Sequence, residues 1–115
     1  MLTINGLHRF YFLPNFHDMR CKAPRVAEII RAMYKRDPLN GDVYIFMSKN
    51  RSKVKMIHYE KHAFYLHEKS YVKGYNFMKV TYCDDKPCYS IDWKDLVRIL
   101  ETPVIKEIRI GAGEI

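Results

Sequence analysis

No run in this chain approaches the ~20 consecutive apolar residues that a helix needs to cross a bilayer, so no membrane association is expected. The opening MLTINGLHRFYFLP has no basic segment ahead of an apolar stretch and no small-residue cleavage site. We therefore expect no secretory signal and a cytoplasmic protein. Repeats, low-complexity tracts and interdomain linkers are missing too, and 115 residues then leave a single compact domain over 1–115. Cysteine is scarce: Cys21, Cys83 and Cys88 are an odd number and would stay thiols in a reducing compartment. Cys83 and Cys88 enclose the turn-like Asp84-Asp85-Lys86-Pro87, but no second cysteine pair completes a zinc set. No metal and no cofactor are expected.

The motifs of several enzyme classes are absent as well. There is no GxxxxGK[ST] and no GxGxxG, which removes phosphate-loop and dinucleotide chemistry, and no GxSxG or HExxH. The strand-like VYIFM lacks the glycines and basic residue of an RNA-recognition motif, and no two adjacent helices suggest a helix-turn-helix. Two weak acidic patterns remain. Asp37, Asp42 and Glu60 could converge around a metal ion, and Asp84-Asp85-Lys86 contains a DxK triplet of the restriction-nuclease kind. Asp37 and Asp42 bracket Pro-Leu-Asn-Gly, however, where acids commonly serve as turn residues, so a nuclease is the weaker reading.

What the chain does have is positive charge. Twenty Lys and Arg against thirteen Asp and Glu give +7, and the isoelectric point is about 9.4. The excess is concentrated. Arg20, Lys22, Arg25, Arg31, Lys35 and Arg36 face Glu28 alone over 20–36, and Lys49, Arg51, Lys53, Lys55 and Lys61 face Glu60 alone over 49–61. Such clustering suits a polyanion-binding surface, although solvated faces that aid solubility produce the same pattern. His58, His62 and His67 could add phosphate contacts when protonated, and Tyr59, Phe64, Tyr65 and Tyr71 could stack on bases. For both groups a place in a sheet core is the commoner use.

The periodicities predict an α+β fold. Arg9–Leu13 reads as a strand. Pro24 suits a helix's first turn, and Val26, Ile29, Ile30 and Met33 make one apolar stripe with a basic opposite side. Val43–Met47 is apolar on both faces, as in a covered strand. Lys53–Tyr59 starts with alternation, Val54 and Met56 opposite Lys53 and Lys55, and Ala63–Lys69 follows a short turn. These three make an antiparallel β-meander packed with two amphipathic helices. The hairpin loop Lys49–Lys53 is the best candidate to track a phosphate backbone. A fourth strand is expected over Asn76–Tyr82, a polar loop over 83–87, and a helix over Trp93–Glu101 capped by Asp92. That helix carries a stripe of Trp93, Leu96, Val97 and Leu100. Val104–Ile110 reads as a last strand or extended tail.

Asp18-Met19-Arg20, followed by the unbroken blocks of Asp37–Gly74 (DPLNGDVYIFM, then KNRSKVKMIHYEKHAFYLHEKSYVKG), resembles the accessory proteins called TnpB-like or Orf2-like. These are encoded beside the transposase in insertion sequences of the sixty-six group. The resemblance covers a core over 9–74 and leaves a divergent part over 75–115. Tyr59-Glu60 stands where the family has Trp-Asp, Ala63-Phe64-Tyr65 where it has Gly-Phe-Trp, and Lys49-Asn50-Arg51 replaces a longer arginine run. The resemblance implies a non-catalytic helper in DNA transposition, beside a separate DDE-type transposase that does the chemistry. DNA and the transposase, or another accessory protein of the element, are the expected partners, and a homo-oligomer is compatible. The expected DNA contacts are Arg20, Lys22, Arg25, Arg31, Lys35, Lys49, Arg51, Lys53, Lys55 and Lys61. The alternative is a protein-interaction module that docks on the transposase.

Overall fold

The computed structural model describes residues 8–82, 86–101 and 107–110. Strand β1 (Phe10–Phe12) leads through a loop into helix α1 (Ala23–Met33), which returns the chain to β2 (Val43–Met47). A crossover of this length containing a helix lets consecutive strands lie side by side in the same direction, and β1 and β2 pair in parallel, with Tyr11 beside Tyr44. The meander then follows as expected: β3 (Lys53–Glu60) runs antiparallel to β2, and β4 (Ala63–Ser70) antiparallel to β3. Strand β6 (Tyr89–Ile91) adds to the far side of β1, giving the order β4-β3-β2-β1-β6. The fold is α+β, but its main sheet is mixed rather than a purely antiparallel meander. The helix between β1 and β2 accounts for the parallel pair, which was not anticipated from the sequence.

The central strand explains its own composition. Val43, Ile45 and Met47 point into one apolar cluster, and Tyr44 and Phe46 into the other. Helix α1 covers the second side with Val26, Ala27, Ile29 and Ile30. Helix α2 (Trp93–Glu101) covers the first with Leu96 and Ile99. Asp92 caps α2 through its Oδ1, which accepts the Asp95 N–H at 2.8 Å.

Three expectations need correction. Met33 is 67% exposed, because Tyr34 folds in as α1 ends and takes the last place over the sheet. Trp93 and Val97 stay exposed while Ile99 is buried. The apolar positions of this short helix span more than one stripe, so periodicity could not fix which edge meets the core. The fourth strand, β5, begins only at Lys79 and ends at Tyr82. Phe77 and Met78 ahead of it plug the first cluster instead. Phe77 is held there by its N–H to the Arg51 carbonyl (2.7 Å) and by the Arg51 Nε–H to its own carbonyl (3.2 Å). β5 pairs in parallel with β7 (Glu107–Ile110) in a separate small sheet. Cys83, the DxK acids Asp84 and Asp85, and 104–106 lie outside the described residues.

Candidate nucleic-acid interface

Because β1 and β2 are parallel, the loops that leave their carboxyl ends emerge at the same pole of the sheet. In open sheets this is the usual place for a ligand crevice. Here the loop 13–22 and the hairpin loop 48–52 border an open groove of about 720 Å³, lined by Phe16, His17, Asp18, Arg20, Ser48 and Lys49 among others. A smaller cleft of about 160 Å³ continues it past His17 and Lys49 to Arg51 and Lys79.

Both walls are held by local hydrogen bonds. In the hairpin loop, Ser48 Oγ donates to Asn50 Oδ1 (2.9 Å) and accepts the N–H of Ser52 and of Lys53, each at 3.1 Å. Arg51 takes a left-handed conformation, φ 60°. Lys49 therefore stands on a fixed tip. In the opposite wall, Asp18 clasps Arg20: its Oδ1 accepts the Arg20 N–H (2.9 Å) and Nε–H (3.1 Å), and Oδ2 accepts from Nη2 (3.2 Å). Those bonds hold the Asp18 carboxyl down at about 2. The Met19 carbonyl accepts from Lys55 Nζ at 2.5 Å. His17 Nδ1–H donates to the Met47 carbonyl (2.9 Å), which fixes its tautomer and ties the loop to β2.

The ten expected contact residues do not gather in one place. Arg20, Lys22, Lys49, Arg51 and Lys53 lie at the groove pole. Lys22 is the N-cap of α1 and makes no side-chain capping bond, and the first turn holds no acid. A helix start favours negative charge, so a cationic start without a capping acid leaves that end suited to an anion. Arg25 is exposed beside this start and pairs with Glu28 at 2.6 Å. Arg31 and Lys35 sit at the other end of α1. Lys61 occupies the β3–β4 turn, at the opposite pole from Lys53 by the length of an eight-residue strand, roughly 27 Å.

Lys55 is not a surface contact. It is 8% exposed, its ammonium is bonded to the Met19 carbonyl, and it lies 3.7 Å from Glu68 across the β3–β4 ladder. Alternation had put Lys55 on a solvent face, but the loop 13–22 closes over that face. Lys53 shares the same glutamate at 3.7 Å and remains exposed. Arg51 is half-buried and engaged by Phe77. Lys79 and His17 were missed, since neither stands in a charge run: the loop after β1 brings His17 to the groove, and the Arg51–Phe77 hydrogen bonds hold the segment ahead of Lys79 beside it.

The remaining candidates fall away from a binding role. Tyr59 packs edge-on against Phe64 (5.2 Å between ring centroids), Tyr65 stacks on His58 (5.1 Å), and Tyr71 lies on Phe77 (4.4 Å). These aromatics therefore stack on one another rather than forming an open platform. His58 is buried, His67 half-buried and His62 exposed in the turn. Burial lowers the pKa of both His58 and His67. Asp37 accepts the Leu39 N–H at 2.9 Å as a turn residue. Asp42 is buried, with Arg9 Nε at 3.1 Å and Arg36 Nη2 at 3.4 Å. Arg36 also lies 3.7 Å over the Tyr11 ring. Asp42 is thus neutralised by two guanidiniums, which leaves it unsuited to a paired-carboxylate metal centre. Outside any sequence expectation, one ligand atom each of His8, His58 and Glu60 lie within 4.8 Å of one another.

Fold and site together define a small mixed-sheet protein with Arg20 and Lys49 on the walls of one open groove. The family model described as "IS66 Orf2 like protein" matches residues 8–109, and the chain belongs to that family, the accessory proteins of insertion sequences. The match spans the groove and runs on well past Gly74. No curated protein and no solved structure is significantly similar to the chain. No helix among the described residues is long and apolar enough to cross a membrane.

Proposed function

We propose that this protein is a non-catalytic, cytoplasmic accessory factor of transposition that seats duplex DNA against the groove pole. The observation that carries the reading is the placement of Arg20 and Lys49 on facing walls of one open groove. Lys22 stands beside it, and Arg51 and Lys79 border its continuation. Lys22 and Lys49 make no ion pair among the described residues, so their charge is available to phosphate. Each phosphate neutralised contributes about 0.9 to the slope of log affinity against log salt. A footprint of roughly four phosphates gives a slope near −3.6.

A salt titration of binding to labelled duplex, comparing the element's terminal repeat with a scrambled sequence, tests this. Salt-steep binding to both supports a backbone-seating role, and preference for the terminal repeat adds base readout. Absence of binding at low salt removes the reading. The second reading, docking on the transposase, is favoured by Trp93 and Val97. These lie one turn apart on α2 and remain 42% and 37% exposed. A pull-down of the transposase that is lost in a Trp93→Ala/Val97→Ser variant would support it.

A further inference from the structure

At the pole away from the groove, side chains from separate places in the chain meet. His8 precedes β1, while His58 and Glu60 lie at the end of β3. His58 Nε2 is 3.4 Å from Glu60 Oε1, and the His58 ring meets that of His8 edge-on with centroids 5.5 Å apart. The His58 side chain is 1% exposed, and its Nδ1 has no hydrogen-bond partner. It is the Nε2, which faces Glu60, that is placed to act as a ligand beside that carboxylate.

We propose that His8, His58 and Glu60 form a binding site for one divalent transition-metal ion of the zinc class. The donors select the ion. Two of the three are imidazole nitrogens, which suit zinc, whereas magnesium and calcium require oxygen. Two histidines and a glutamate are also a known three-ligand zinc set, with the fourth position left to water. Bonds of about 2.0–2.2 Å put the ligand atoms of a tetrahedron about 3.4 Å apart. The present 4.8 Å spread closes by a shift of about 1.4 Å. His8 stands half-exposed just before β1 and can supply much of that shift. The bound ion would tie the segment ahead of β1 to β3, across the width of β2. The site does not depend on the DNA-binding reading.

Titration of metal-free full-length protein with zinc, followed by calorimetry, tests the site. The expected result is one zinc per chain at micromolar affinity or tighter. Cobalt in its place should give the visible absorption of a tetrahedral nitrogen-and-oxygen site. His8→Ala and Glu60→Gln should each weaken binding at least tenfold while far-UV circular dichroism of the metal-free proteins stays unchanged. A variant with Cys21, Cys83 and Cys88 all replaced by Ser should bind as the parent does. No saturable binding, undiminished binding in the His8→Ala/Glu60→Gln variant, or loss of binding in the cysteine-free variant would each overturn the proposal.

Discussion

The two poles of the sheet carry similar numbers of cationic side chains and use them in opposite ways. At the amino ends of β1 and β2, Arg9 and Arg36 converge on the buried Asp42, and Arg36 also donates to the Tyr44 hydroxyl at 3.3 Å. Both guanidiniums are tied to one internal carboxylate, which offsets half of their charge. At the carboxyl ends, Lys22 and Lys49 are exposed, and Arg20 is 91% exposed although Asp18 holds it. A charge count along the chain cannot separate these uses, because a guanidinium reads the same whether it faces an internal carboxylate or solvent. Pairing and burial separate them, and both follow from topology. The parallel β1–β2 pair directs one set of loops to an open groove, and the other set packs over Asp42.

The comparison can be broken most severely at Asp42. Asp42→Ala leaves two guanidiniums without their shared partner at a buried position. We expect a loss of about 3 kcal/mol in urea unfolding, at the low end for a broken buried pair because Arg9 is largely exposed. DNA affinity of the folded fraction should be unchanged. Lys55→Met probes the one expected contact residue that turned out to be internal. It should cost about 1–2 kcal/mol, since the Met19 carbonyl loses its charged donor, and the groove wall should loosen, whereas Lys49→Met should leave stability within about 0.5 kcal/mol.

A third test concerns pH. Burial depresses the pKa of His58 and His67 below the ordinary 6.5, so the unfolded chain binds more protons than the folded one at mildly acidic pH. Their contribution is fully present above about 6.5 and is lost as pH falls from there through the lower folded-state values. The urea midpoint should decline over that range, and less steeply in His67→Gln. The smallest effect is expected at the β3–β4 turn. Lys61 (φ 52°) and His62 (φ 68°) both hold left-handed conformations that favour Asn and Gly in such two-residue turns. Lys61→Asn/His62→Gly should stabilise by about 0.5–1 kcal/mol. It should not weaken DNA binding, although Lys61 sits in one of the two basic runs.

Much of the architecture was legible in the sequence, because it rests on local periodicity. VYIFM announced a strand covered on both faces, Pro24 and Asp92 marked helix starts, and the hairpins were bounded by turn residues. What failed depended on distant parts of the chain. Lys55 looked exposed until the loop 13–22 folded over it, and Phe77 looked like strand until Arg51 drew it into the core. β6 is only three residues long, too short to show alternation. The groove was half legible: the hairpin tip at Lys49 stood out by charge, but its partner wall needed the parallel register. The His8, His58 and Glu60 cluster had no signal, since no sequence spacing joins a residue ahead of β1 to the end of β3.

The most direct test of the account removes equal charge from the two ends. Arg20, Lys22 and Lys49 are replaced by Ala in one variant, and Arg31, Lys35 and Lys61 in another, and each is titrated with duplex DNA across a salt series. The groove variant should lose affinity by at least tenfold and flatten the salt slope by roughly 2–3 units, while the second variant should bind nearly as the parent does. Equal losses in the two variants would mean that net charge, and not the groove, attracts the DNA, and the account of the two poles would be wrong.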